Sequence, residues 1–138
     1  MANGNGNCRL RHNPLVYTFD TNVIIYYLDR DNQILSLVDE IFERNTPVYV
    51  SAISEIELFG FSRLTNEEAI QIDGILRTVS LIPLDSRIAR LAAALRKNYG
   101  LKIADSAIAA TALFTGSALL TRNVKDFKRV PELKLQGA

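Results

Sequence analysis

Two kinds of hydrophobic pattern alternate along the chain. Leu15-Val-Tyr-Thr-Phe19, Pro47-Val-Tyr-Val50, Leu81–Leu84 and Ala118–Leu120 are short, continuous apolar runs, rich in β-branched and aromatic residues, and they predict strands. Leu133–Leu135 offers a fifth. Between them, apolar residues recur every three or four positions, the period of a helix with one buried face. Ile34, Leu35, Val38, Ile41 and Phe42 show this most plainly. Punctuation residues set the other helices. Asp20-Thr21-Asn22 precedes the short apolar stretch Val23–Leu28, and Ser51 or Ser54 opens a helix running to about Phe61. The capping box Thr65-x-x-Glu68 introduces a helix over 66–78. Asp85 opens one to about Tyr99 with Gly100 as its stop, and an alanine-rich helix over 103–115 ends at Gly116.

Strands that are apolar throughout, rather than at alternate positions, are buried on both faces, as in parallel sheets covered by helices. The expected fold is therefore α/β: a three-layer α/β/α sandwich with a four- or five-stranded, mainly parallel sheet. A chain of 138 residues fits one domain. That domain is expected over 14–138, after a flexible polar leader at 1–13. In such sheets ligands bind beyond the carboxyl ends of the strands. The positions to inspect are thus Asp20-Thr21-Asn22, Ser51, Asp85-Ser86 and Thr121-Arg122-Asn123.

Composition narrows the chemistry. The one cysteine, Cys8, and the one histidine, His12, exclude an internal disulfide, a histidine pair and a cage of Cys and His ligands. Carboxylates, hydroxyls, amides and bases remain. The glycine cluster Asn3–Asn7 follows no strand, so it is not a phosphate loop. The N-terminus carries no apolar signal segment, and Ile103–Leu120 is interrupted by Asp105, so no membrane is expected and the location expected is cytoplasmic. Charge divides along the chain. The first 86 residues hold 12 acids against 6 bases, and the remainder hold 10 bases against 3 acids. This describes either two solvated helix faces or an acidic pocket for a cation beside a basic lip for a polyanion.

The acids near the strand ends each have an ordinary reading. Asp20 is placed to cap a helix. Glu57, flanked at i−4 and i+4 by Ile53 and Phe61, is expected to point toward packed structure, with a surface ion pair as its ordinary role. Asp105 opens a buried alanine-rich helix, where a carboxylate needs a cap, a partner or a cation. Asn123 and Asp126 suit a turn. Taken jointly, Asp20, Glu57 and Asp105 would put three carboxylates in one pocket, and hard oxygen ligands without imidazole or thiolate suit Mg2+ or Mn2+.

Four segments then carry a resemblance: Phe19-Asp-Thr-Asn22, the helix around Glu57-Leu-Phe-Gly60, Asp105-Ser-Ala-Ile-Ala-Ala110, and Leu120-Thr-Arg-Asn-Val-Lys-Asp-Phe127. In this order, and over about residues 15–137, the sequence resembles the PIN-domain nucleases, most closely the VapC-type toxins of prokaryotic toxin–antitoxin pairs. The resemblance implies a Mg2+- or Mn2+-dependent endoribonuclease in which a metal-activated water attacks an RNA phosphodiester and leaves 5′-phosphate and 3′-hydroxyl ends. It implies Asp20, Glu57 and Asp105 as the metal-holding acids. At the fourth position Asn123 stands where many members have Asp, with Asp126 three residues later. It further implies Thr21, Asn22, Ser51 and Thr121 as residues that orient the carboxylates. Arg87, Arg90, Lys97, Arg122, Lys125 and Lys128 become candidates for RNA phosphate contacts. The implied partners are a second copy in a homodimer and a small antitoxin covering the catalytic groove, with Tyr26, Tyr27, Leu28 and Phe59-Gly60-Phe61 as apolar surface for it.

Three other readings compete. A receiver-type phosphoacceptor domain shares the length and the acid after strand one, but it needs an acid pair there and would use Asp85. A haloacid-dehalogenase-type phosphatase needs Asp-x-Asp where this chain has Asp20-Thr21-Asn22. An inactive PIN-like module would bind RNA or protein without cleaving, consistent with Asn123.

Overall fold

The structure, a computed structural model, describes residues 16–138; the leader, Cys8, His12, and Leu15 of the first predicted strand lie outside the described residues. Five parallel strands form one sheet: β1 (Tyr17–Phe19), β2 (Val48–Ser51), β3 (Ser80–Ile82), β4 (Ala118–Thr121) and β5 (Lys134–Gly137). Their spatial order is β3-β2-β1-β4-β5. The register sets Tyr17 beside Val48 and Ala118, and Phe19 beside Leu120.

Helices cover both faces, as parallel crossovers require. On one face, α1 (Thr21–Leu28), α2 (Asn32–Glu43), α3 (Ala52–Phe59) and α4 (Asn66–Leu76) enclose a core of Tyr17, Phe19, Val50, Leu120, Ile24, Ile34 and Ile41. On the other, α5 (Ser86–Tyr99) and α6 (Ile103–Thr115) form an antiparallel pair whose core includes Ile88, Leu95, Ile108, Leu119 and Phe127. Each fully buried Ile, Leu or Phe contributes about 1.5–3 kcal/mol of transfer free energy. Ala107, Ala109, Ala110 and Ala112 are all buried, and their small side chains let α6 lie against β1, β2 and α3 as well as α5.

Local signals account for most boundaries. Asp31 and Asp85 accept from Ile34 N–H and Ile88 N–H, capping α2 and α5. The Thr65–Glu68 capping box is complete. Gly100 and Gly116 end α5 and α6 in the left-handed region, at φ +71° and +66°.

Several expectations change. The helix over Glu57 stops at Phe59 with Gly60 as its cap, two residues short of Phe61. The third strand is an exposed edge, so Leu81 and Leu84 are partly solvated rather than buried on both faces. A one-turn helix, α7 (Val124–Phe127), stands where a turn was expected. Four residues are too few to show a helical period.

The order of strands places a topological switch between β1 and β4. From β1 the chain moves outward to β2 and β3, then returns across the sheet to β4 and moves outward the other way to β5. The connections leaving the carboxyl ends of β1 and β4 therefore diverge, opening a crevice between them.

Gly100 fixes the turn that delivers α6 to that crevice, and its carbonyl accepts from Arg129 at 3.3 Å. Gly100→Ala puts a Cβ on a left-handed residue and is expected to cost about 1–2 kcal/mol in urea unfolding, with Gly100→Asn costing less.

Candidate active site

Asp20 occupies the N-cap position of α1, yet its side chain does not cap that helix. Its Oδ2 instead accepts from Thr121 Oγ1 at 2.7 Å, across the crevice from the end of β4. The same hydroxyl accepts from the Asn123 N–H at 2.8 Å, so one oxygen anchors both the turn after β4 and the carboxylate after β1. Asp20 is only 5% exposed. Burial pushes its carboxyl above the ordinary range; the Thr121 bond pulls it back, and the charges of Asp105 and Glu57 push it up again.

Glu57 reaches the same region from α3, but from the solvent side: it is exposed, not turned into packed structure. Its i+4 neighbour Phe61 lies beyond the helix end and is itself 60% exposed, so it forms no wall. Glu57 Oε1 accepts from Thr21 Oγ1 at 2.6 Å, and Thr21 Oγ1 lies 2.7 Å from Ser54 Oγ. A carboxylate only accepts, so Thr21 donates to Glu57 and Ser54 donates to Thr21. This directional chain fixes the Glu57 carboxylate relative to the start of α1.

Asp105 stands in the first turn of α6. Burial raises its pKa, the charges of Asp126 and Glu57 raise it further, and Lys102 and Arg129 oppose them. Asp126 is thereby drawn into the cluster from α7. Its two oxygens accept from Asn123 Nδ2 at 3.1 Å and Arg129 Nη2 at 3.0 Å. Asn123 thus supports an acid as a donor.

The four acids form one electrostatically coupled group at the switch point. Among the described residues, however, no three carboxylates close into a ready set of ligands for one ion. Bare like charges repel in a partly buried site, and Asp20, Glu57 and Asp126 are turned to hydroxyl, amide and guanidinium donors. The donor set fits an ion that needs only one or two carboxylates and retains water, which describes Mg2+ or Mn2+ better than an ion enclosed by protein.

Other predicted residues are placed differently. Thr21 and Thr121 bond the acids directly. Ser51 accepts from Ile53 N–H and caps α3, and Asn22 is exposed. Arg122 is held in place by Asp31 through bonds of 2.7 and 3.0 Å, by the Ala138 carbonyl and by the ring of Tyr26 beneath it. Arg87 pairs with Asp85 and lies over Phe114, near the far end of α6 from Asp105, and Arg90 follows it on α5. Asp85 is instead held by Arg87 and by the Ile88 N–H that it caps. Tyr27 is bonded to Asp39 and packs edge-on against Phe42, whereas Leu28 and Phe61 line a groove of about 300 Å³ with Ile25, Leu64, Ile72 and Glu57. Ser54, Lys102 and Arg129 were missed. Each lies three residues from an acid of the cluster (Glu57, Asp105 and Asp126), and that spacing was the available signal.

Comparison with known proteins is consistent over nearly the whole described chain. Residues 17–133 match the PIN-domain family. The chain is 28% identical over 131 residues to ribonuclease VapC2 of Rickettsia felis, covering 89% of this chain and 98% of that protein. It superposes on the crystal structure of VapBC2 from Rickettsia felis bound to a promoter DNA fragment with a TM-score of 0.77 and 23% identity, over 89% and 98% of the two chains. A toxin–antitoxin complex from Klebsiella pneumoniae gives 0.70 and 29%, over 85% and 94%.

The raised acids have a measurable consequence in metal-free protein. A folded state whose Asp20 and Asp105 hold protons more tightly than the unfolded chain gains stability below their native pKa values. It loses that stability as pH rises from the ordinary carboxylate range through the raised values. Asp105→Asn is expected to raise the metal-free Tm at neutral pH and flatten this dependence, and added Mg2+ to stabilise the parent far more than the variant. Thermal melts followed by circular dichroism check both.

Proposed function

The chain belongs to the PIN-domain family, and on that premise we propose that it is the toxin of a toxin–antitoxin pair, a Mg2+- or Mn2+-dependent endoribonuclease. The observation that carries this reading is the group of acids at the β1/β4 crevice, with Asp20 buried and clamped by Thr121. A buried acid at a switch point whose nearest charged neighbours include two further acids is costly without a counter-ion, which argues for a bound cation rather than for stability.

Asp20 and Asp105 are the residues that would hold the ion, with Glu57 and Asp126 acting beside them. A bound divalent ion supplies a water of lowered pKa and a positive charge against the phosphoryl oxygens. The chain does the rest. Thr121 keeps the Asp20 carboxylate in one orientation, and the Ser54–Thr21 chain keeps Glu57 within reach of a water proton. Lys102 and Arg129 offset negative charge at the Asp105 edge. In-line attack on an RNA phosphodiester then leaves a 5′-phosphate and a 3′-hydroxyl.

The antitoxin is the natural occupant of the groove beside Glu57. Ile25, Leu58, Phe61, Leu64 and Ile72 give it an apolar floor, and Asp29, Glu57 and Glu68 give it an acidic rim. An amphipathic segment carrying arginine matches both. A homodimer and a cytoplasmic location complete the reading. Among the described residues, no helix is long and apolar enough to cross a membrane.

Purified protein is expected to cleave RNA with Mg2+ or Mn2+ and to stop on chelation with EDTA. Asp20→Asn and Asp105→Asn should abolish cleavage while leaving the fold intact by circular dichroism. Thr121→Val, which keeps shape but loses the bond to Asp20, should lower metal affinity or activity by about 10–100-fold. Cleavage that persists in Asp20→Asn and Asp105→Asn would refute the assignment.

A further inference from the structure

The two flanks of the crevice differ in charge in a way that the acid cluster does not require. Between Asp85 and Asp105 the chain has no acid, and between Asp105 and Asp126 it again has none, whereas Arg87, Arg90, Arg96, Lys97, Lys102, Arg122 and Lys125 all fall in these intervals. The fold does not spread these cations evenly around the site.

Arg129 donates to the carbonyls of Tyr99 and Gly100 at 3.5 and 3.3 Å, tying the end of α7 to the turn between α5 and α6. Arg96 donates to the Leu101 carbonyl at 3.1 Å and braces the same turn. Lys97 in the last turn of α5, Lys102 at the N-cap of α6, and Lys125 and Lys128 on and just after α7 are thereby gathered at the edge bearing Asp105 and Asp126. All four are exposed, and among the described residues none has a carboxylate partner. Five of the arginines behave differently, though Arg90 has no carboxylate partner among the described residues. Arg44, Arg77, Arg87, Arg122 and Arg129 are each paired to an acid, and Arg87 is stacked on Phe114 toward the other end of the α5–α6 pair. The opposite flank of the crevice is the groove with its acidic rim, which repels a polyanion.

We infer that the RNA strand crosses the site over the α5–α6 turn and α7, its phosphates taken by Lys97, Lys102, Lys125 and Lys128, and not along the first turns of α5 or over α3 and α4. The inference rests on the ribonuclease reading for its substrate class. It adds a direction: antitoxin and substrate approach from opposite flanks and meet only at the acids. Lysine suits this role because its ammonium is a mobile point charge that follows a flexible single strand without demanding one geometry.

The test compares two sets of glutamine substitutions in the full chain. One replaces Lys97, Lys125 and Lys128 together and keeps Lys102, which acts on Asp105; the other replaces Arg87 and Arg90. Binding of a labelled single-stranded RNA oligonucleotide is followed by fluorescence anisotropy in EDTA, and cleavage is followed with Mg2+. The lysine set is expected to weaken binding and raise KM by about tenfold or more with kcat little changed, and to reduce the salt slope of binding by about 0.7 per lost phosphate contact. The arginine set should leave all of these within about twofold. Equal loss from both sets, or loss from the arginines alone, overturns the route. So does wild-type protein that binds no RNA. Wild-type protein that binds RNA through the lysines but does not cleave it supports the route and overturns the nuclease reading instead.

Discussion

The hydroxyl of Thr121 holds together the two halves of the molecule's chemistry. It accepts from the backbone of the turn after β4 and donates to Asp20 at the end of β1, a residue 101 positions away. That bond exists only because the strand order makes β1 and β4 neighbours at the switch point. It fixes the most buried acid of the crevice. With Asp20 held, Asp105 and Glu57 face a charge that cannot turn away, and Asp126 approaches from α7 to complete the group. The hydroxyl satisfies one lone pair of a carboxylate that burial would otherwise make costly, and it leaves the other oxygen available.

The second constraint is the asymmetry of the surroundings. The groove beside α1, α3 and α4 brings Asp29, Glu57 and Glu68 and apolar side chains such as Ile25 and Phe61, the latter 60% exposed, to one side of the crevice. Helix α7 and the α5–α6 turn bring lysines to the other. The division of charge along the chain is thus converted by the fold into a division across the site. A mobile polyanion and an amphipathic polypeptide make opposite demands on a surface, and each finds its complement on one flank.

The architecture was legible because each of its signals is local. The capping box at Thr65, the stop residues Gly100 and Gly116, and the continuous apolar runs at β1, β2 and β4 need no distant partner to be read. The acids after the strands were legible as candidates for the same reason, since strand ends can be located in a sequence. Their surroundings were not. Whether Asp20 caps its helix or turns to Thr121 is decided by a residue on another strand. The fate of Arg122 is decided by Asp31, 91 positions away, and by the ring of Tyr26. Glu57 points to solvent because α3 ends before Phe61 can shield it, and Arg87 belongs to the far end of α6 because α5 and α6 run antiparallel. The short α7 left no periodicity to detect, and with it went the roles of Arg129 and Asp126.

The central claim is that these acids are kept together for a divalent ion. Crystals of the protein soaked in Mn2+ test it directly through anomalous scattering. The account predicts an anomalous peak in the β1/β4 crevice, within ligand distance of Asp20 or Asp105 and completed by water, and its loss in Asp20→Asn. An empty crevice in protein that cleaves RNA under the same Mn2+ concentration, or a peak bound elsewhere on the surface, would contradict it.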